Sequence, residues 1–315
     1  MENNTCQHIS WRTHAKRRKQ CVQCGKTQTI RIKKRGRKPK RTSITPLIAY
    51  LRGKSVRTSS RDLRRARDLF NRTMDWPDVS MQSSPCFLLA DALHIKTPTY
   101  QLSVYIILVT TIGEERAQIL PVYFGKGGES FENWQKAFMS ALPQQLLPFV
   151  KALVCDGRGS LLALGKKYGW LIQRCQFHLL ARVQSLRSIS ALSRHRQEGI
   201  FLREQIKIVC ETSVSPQMTL AITLLKNVVD HETNRHLKTT LSGLIKNHEH
   251  YRTYLQYPDL HLAHTTNAVE SLNSLIRGLM WKMRGFENEE SARAWITALL
   301  KERKFIRVCT HRKTV

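Results

Sequence analysis

Residues 87–124 read FLLADALHIKTPTYQLSVYIILVTTIGEERAQILPVYF, and the spacing of apolar runs and polar breaks in this stretch decides the fold class. Phe87–Ala90 is a short apolar run that ends at Asp91. Gln101–Thr111 is rich in β-branched and aromatic residues, whose side chains suit a pleated, half-buried surface. Gly113-Glu114-Glu115 turns the chain, and Ala117–Phe124 reads as another strand. Three strands in succession predict an antiparallel meander. Downstream the period changes. Ser130 caps a helix with Phe131, Trp134, Phe138 and Leu142 on its apolar face, and Pro143 ends it. Ala152–Cys155 is a buried strand ending at Asp156-Gly157. Helix 159–167, strand Trp170–Arg174 and a helix from Phe177 follow. The order β-β-β-α-β-α-β-α predicts an α/β fold, a mixed sheet with helices on both faces.

The acids gain meaning from that order. Asp91 lies on the first strand and Asp156 at the end of the fourth. If those strands are neighbours, both carboxylates project into one cleft. Two hard oxygen ligands held together are costly unless a cation neutralises them, which is how proteins bind Mg2+ or Mn2+. Taken singly, each is an ordinary strand-end or turn residue; the joint placement makes them a candidate site. A third acid follows. Thr265-Thr266-Asn267 is an N-cap cluster, and Val269, Leu272, Ile276 and Leu279 form one helical stripe. Glu270, Asn273, Ser274 and Arg277 share a second face, so Glu270 can be aimed into a cleft from the first turn. On periodicity alone, a solvated charged face is the better explanation.

The front of the chain is chemically different. The 315 residues carry 52 Lys and Arg, 23 Asp and Glu and a formal charge of +29, and 41% are hydrophobic, enough for one large or two ordinary domains. Within residues 1–72 stand 22 of the basic residues against Glu2, Asp62 and Asp68. Such a segment repels itself unless a polyanion is present, and nucleic acid is the leading partner. An anionic membrane surface lacks an amphipathic anchor here. Runs such as Val104–Val109 are too short for the ~20 residues of a membrane span. The polar, basic start has no apolar signal-peptide core, so a reducing cytoplasm is expected.

Eight cysteines are too few and too scattered for a disulfide framework. Cys6, His8, Cys21 and Cys24 have the spacing of a tetrahedral Zn2+ site, with Gly25 turning backbone amides toward the thiolates. His14 can replace His8 as fourth ligand. A 30-residue polar segment has little core of its own, and such a staple supplies one. Cys86, Cys155, Cys210 and Cys309 stand alone and read as small core residues. An extended arm follows, with Arg31, Lys33, Lys34, Arg35, Arg37, Lys38, Lys40 and Arg41, where Gly36 and Pro39 forbid a regular helix. Pro46 starts a helix with Leu47, Ile48 and Leu51 inward, ended by Gly53. A second begins at Ser59 or Ser60 with Leu63, Ala66, Leu69 and Phe70 inward and Arg61, Arg64, Arg65 and Arg67 outward. This pair suggests a helix-turn-helix.

The stretches GESFENW, LVCDG, QRCQFH and TTNAVESLNSLIR, in this order and spacing, resemble those of bacterial insertion-sequence transposases of the Mutator type. The resemblance covers roughly residues 86–305, and the knuckle and basic region resemble the front of a zinc-ribbon-bearing subgroup. It implies an RNase H-like catalytic domain with an Asp-Asp-Glu (DDE) triad, which falls on Asp91, Asp156 and Glu270. The family's Cys-x-x-His feature falls on Cys175 and His178, in support of the catalytic core. Two-metal phosphoryl transfer is implied, the triad holding two Mg2+ or Mn2+ ions about 4 Å apart. The substrates are transposon ends and target DNA, and joining two ends implies a homodimer or higher assembly on DNA, associated with the bacterial nucleoid. No tryptophan lies between Trp170 and Trp281, so an insertion-domain tryptophan of related transposases has no counterpart.

The expected organisation is a zinc ribbon and arm (1–42), a helix-turn-helix (43–80), a first catalytic part (81–187), an all-helical insertion (188–262) and a second catalytic part with the Glu270 helix (263–315). Leu220, Leu224, Leu225 and Val228 form one stripe of the insertion, and Leu237, Leu241, Leu244 and Ile245 another. The rival readings are an RNase H-like nuclease without end recognition, and an inactive or domesticated transposase-derived DNA-binding protein.

Overall fold

The computed structural model describes residues 7, 9–15, 18–29, 42–79 and 84–309. Cys6, His8 and the arm residues Arg31, Lys33, Lys34, Arg35, Arg37, Lys38, Lys40 and Arg41 therefore lie outside the described residues. The chain divides into two compact units, Met1–Thr42 and Ser43–Val315.

In the smaller unit β1 (Trp11–Ala15), β2 (Arg18–Cys21) and β3 (Thr27–Thr29) form an antiparallel sheet in sequence order. The turn after β2 closes when Gly25 N–H donates to Cys21 O at 3.0 Å and Cys21 N–H to Lys26 O at 2.8 Å. Gly25 has φ +74° there, a left-handed backbone that a β-carbon disfavours.

The larger unit begins with α1 (Thr45–Leu51) and α2 (Ser60–Thr73), and Ser59 Oγ accepts from Asp62 N–H at the start of α2. Then follow β4 (Cys86–Lys96), β5 (Gln101–Thr111), β6 (Arg116–Ile119), β7 (Tyr123–Gly125), α3 (Phe131–Ala141), β8 (Val150–Cys155), α4 (Gly159–Tyr168), β9 (Leu171–Arg174) and α5 (Gln176–Leu186). Next are α6 (Arg196–Glu211), α7 (Ser215–His231), α8 (Arg235–Lys246), α9 (His248–Tyr251), α10 (Thr253–Gln256), α11 (Asn267–Lys282), α12 (Glu289–Arg303) and β10 (Phe305–Arg307). Among the described residues seven strands make one mixed sheet in the order β10-β6-β5-β4-β8-β9, with β7 also paired to β5. The pairs β4–β8 and β8–β9 are parallel, and the others are antiparallel.

Two strand readings change. The first strand does not stop at Asp91 but runs to Lys96, because β5 offers a partner for every residue from Cys86↔Thr111 to Lys96↔Gln101. The expected strand Ala117–Phe124 is two strands separated around Pro121, which has no N–H for a ladder. Strand alternation sorts the core. Phe87, Leu89, Leu93 and Ile95 pack in the layer of α11, α12, α1 and α2. Cys86, Leu88 and Ala90 face Trp134 and Phe138 of α3 and Leu161 and Leu164 of α4.

The helices α1 and α2 belong to this core. Leu47, Leu51, Leu63, Ala66 and Phe70 are buried beside Trp295 and Leu299 of α12. Asn71 Nδ2 donates to Ala294 O at 2.8 Å, and Lys301 Nζ to Met74 O at 2.6 Å. Arg67, expected outward, is buried; its guanidinium pairs with Asp68 at 2.6 Å and lies over the Trp295 ring. Position 67 completes the i, i+3, i+4, i+7 face of Leu63, Ala66 and Phe70. Residues 188–262 contain helices and no strand among the described residues. They pack on α5 through Leu179 and Val183. Leu220 is 61% exposed, and Ala221 with Leu225 takes the inward place. Leu237, Leu241 and Leu244 are buried as read, whereas Cys309 is exposed.

Candidate active site

Parallel pairing of β4 with β8 ends at Ala90↔Cys155, so Asp91 is the next residue on β4 and Asp156 the first residue beyond β8. By alternation Asp91 follows Phe87 and Leu89, and Asp156 follows Ala152 and Val154, onto the face covered by α11. Asp91 is only 6% exposed. Its Oδ1 accepts from Ala92 N–H at 2.9 Å and its Oδ2 from Asn273 Nδ2 at 3.1 Å. Burial, with smaller contributions from Glu270 and Asp156, pushes the Asp91 carboxyl up to about 7 against the opposing pull of His178.

Asp156 sits on a tight turn. Gly157 has φ +85°, and a β-carbon there would meet Arg174 Nε at 2.1 Å, so the position requires glycine. Asp156 Oδ1 accepts from Arg158 N–H at 2.9 Å, and Oδ2 pairs with Arg158 Nε at 3.3 Å. Arg158 also reaches Glu129 at 3.2 Å. Glu129 is itself held by Trp134 Nε1 at 3.2 Å and His94 Nε2 at 3.0 Å. The GESFENW segment thus anchors the cation that pairs with Asp156.

Glu270 projects from the first turn of α11. The expected N-cap cluster works differently from the sequence reading. Thr266 occupies the N-cap position but makes no side-chain cap. Its N–H and hydroxyl both donate to Cys175 Sγ, at 3.2 Å each. Cys175 N–H in turn donates to Cys155 O at 2.7 Å. This buried thiol clasps the end of β8 and the start of α5 to the start of α11. One turn along α5, His178 Nε2 meets Glu270 Oε1 at 3.0 Å. Burial works against a protonated His178, but the bonds to Cys175 and Glu270 and the Asp91 charge outweigh it and raise its pKa to about 11. The hydrogen bond from His178 is the main cause that lowers the Glu270 pKa. One ligand atom from each of Asp91, His178 and Glu270 lies within 4.8 Å of the others. Asp156 adjoins this trio without belonging to it, since Arg158 engages both its oxygens.

The other nominated residues are scattered. Arg61, Arg64 and Arg65 lie exposed on α2, where Arg64 pairs with Glu287 at 3.0 Å and Arg65 with Asp62 at 3.9 Å. In the smaller unit Cys21 is buried and Cys24 exposed. Trp11, not His14, pairs with Cys21. His14 stands three residues farther along β1, roughly 10 Å away at strand rise. Val22 N–H donates to Ser10 O at 3.0 Å, which sets Ser10, just before β1, at the knuckle end. Sequence reading missed Arg158, Glu129 and His94 as a group and the acceptor role of Cys175. It placed Asn273 on the Glu270 face but not against Asp91. The i, i+3 spacing of Glu270 and Asn273 was the available signal.

These features define an α/β protein with an acid-histidine centre at the carboxyl ends of its parallel strands. The signature of the Transposase, Mutator family, matches residues 40–307, and the chain belongs to that family. No curated protein matches the chain. Membership implies a transposase role and DNA as the bound polymer. No helix among the described residues is long and apolar enough to cross a membrane.

Proposed function

We propose that this chain is a DDE transposase that cleaves DNA strands at insertion-sequence ends and transfers them to target DNA. The observation that carries the reading is the convergence of Asp91 and Glu270, from distant parts of the chain, within 4.8 Å of His178. Supporting it, the order β6-β5-β4-β8-β9, antiparallel then parallel, is the one an RNase H-like domain requires. The helical residues 188–262 interrupt that domain between α5 and α11.

The donor set fits a hard divalent cation. Asp91 is a buried carboxylate disfavoured by its burial and by two acidic neighbours, and oxygen donors of this kind favour Mg2+ or Mn2+. Asp91, Glu270 and Asp156 would hold such ions, which when bound stabilise charge on phosphoryl oxygens. The chain's own residues prepare the site. Asn273 and the Ala92 N–H fix the Asp91 rotamer. The His178 imidazolium keeps Glu270 ionised and places positive charge where a phosphate approaches. Arg158 neutralises Asp156 until another cation competes for it.

Zn2+ would be held by Cys21 and Cys24 with Cys6 and His8, since the β1 register carries His14 away from the knuckle. The basic arm and Arg61, Arg64 and Arg65 would contact DNA. Joining two ends calls for a homodimer or higher assembly, working on the bacterial nucleoid. The test is cleavage of end-containing DNA in Mg2+. Asp91→Asn and Glu270→Gln should abolish cutting while leaving DNA binding in place. Cutting of any duplex regardless of ends would identify a nuclease, and wild-type binding without cutting would identify a DNA-binding derivative.

A further inference from the structure

We infer that the solvent face of α11 is a nucleic-acid track, on which Trp281 stacks an unpaired base of the DNA strand entering the acidic site. This deepens the proposed DNA-processing role of that site and rests on it. Trp281 is 87% exposed, far beyond Phe305 at 47% or Phe177 at 45%. Tryptophan is ordinarily well buried. Among the described residues its ring has no aromatic partner and its indole N–H no acceptor.

Its position is specific. At 100° per residue Glu270, Arg277 and Trp281 fall within about 40° of one another on the helix. Ser274 and Arg277 between them are exposed, while Val269, Leu272, Ile276 and Leu279 are buried behind. The stripe therefore leads straight from the site. At 1.5 Å per residue it spans roughly 16 Å, about five nucleotides of stacked strand.

Charge selects the occupant. Arg277 makes no ion pair among the described residues, yet its charge helps to lower the Glu270 pKa. Trp281, Arg277 and Arg284 line an open hollow of about 720 Å³ with Met280, Lys282 and Gly285, and no carboxylate lines it. Lys282 is committed elsewhere: its Nζ donates to Tyr50 O at 3.3 Å and Lys54 O at 3.2 Å and lies over the Tyr50 ring. A bare indole flanked by two guanidiniums, without acids, matches a base face between phosphates. A protein partner would call for a broader apolar patch.

The test uses the full chain with EDTA, so that cleavage plays no part. The probes are blunt duplexes and duplexes with a single-stranded overhang carrying 2-aminopurine at successive positions. Wild type should quench the fluorophore most strongly about five nucleotides from the junction. Trp281→Ala should weaken overhang binding roughly 5- to 150-fold and leave blunt-duplex binding near wild type. Trp281→Phe should restore most of the loss, and Arg277→Ala should lower the salt slope by about one. Equal binding of the overhang by wild type and Trp281→Ala overturns the inference, as does an equal loss on both DNAs. So does a Trp281→Ala chain that becomes monomeric with unchanged affinity per protomer, which would assign the indole to a second copy. If wild type cuts ends while Trp281→Ala binds normally, only this inference falls. If wild type binds no DNA, the proposed function falls with it.

Discussion

Asp91 is held in a place that disfavours its own charge. Its ordinary value is 3.8, and burial lifts it to about 7 in the fold. An acid raised in this way supports the folded state fully below about pH 4 and loses that support as the pH climbs through 7. Asp91→Asn should therefore stabilise the fold at pH 8 by an amount of order a few kcal/mol, seen as a higher melting temperature, with the gain fading toward pH 4. Thermal denaturation in EDTA at both pH values checks it; a lower melting temperature at pH 8 contradicts it. The same group sets the metal linkage. Mn2+ must displace the Asp91 proton below pH 7, so affinity should rise with pH to about 7 and then level off. Calorimetry in buffers of different ionisation enthalpy should show proton release at pH 6 and almost none at pH 8.5.

At the scale of elements, the join between β8, α5 and α11 carries the site. Cys175 accepts two hydrogen bonds from Thr266, and its own N–H reaches the last residue of β8. Cys175→Ala would leave the buried Thr266 N–H unpaired and its hydroxyl with only His178 Nδ1, at 3.4 Å, at a cost of about 1–3 kcal/mol for the orphaned N–H. It should also loosen the start of α11, so end cleavage should fall more than DNA affinity. Cys175→Ser keeps an acceptor and should recover part of both. Urea titration beside a Mg2+ cleavage assay separates the two effects; an unchanged denaturation midpoint in Cys175→Ala would remove the clasp from this account.

For the molecule as a whole, the larger unit has its own sheet and helical layers, with α1 and α2 built into its core. A chain lacking residues 1–41 should keep that fold and its melting transition. It should bind DNA more weakly and with a flatter dependence on salt, because the arm with eight basic residues is lost. Circular dichroism and binding titrations at several salt concentrations measure both. Tight binding by the truncated chain would move recognition to the larger unit.

Short-range periodicity determined much of this protein. The apolar run from Phe87, the stripe Val269, Leu272, Ile276 and Leu279, and the caps at Ser59 and Ser130 all act within a few residues, so they were legible in the chain. Asp91, Asp156 and Glu270 were legible as candidates for the same reason. Only the tertiary structure decided the rest. Whether Asp91 meets Glu270 depends on the β4–β8 register and on α11 covering that face, neither of which leaves a local pattern. His178 as the partner of Glu270, Arg158 as the partner of Asp156 and Arg67 as a buried cation are pairings chosen by packing. A side chain's neighbours follow from how distant elements close the core, and that choice is made by the fold as a whole.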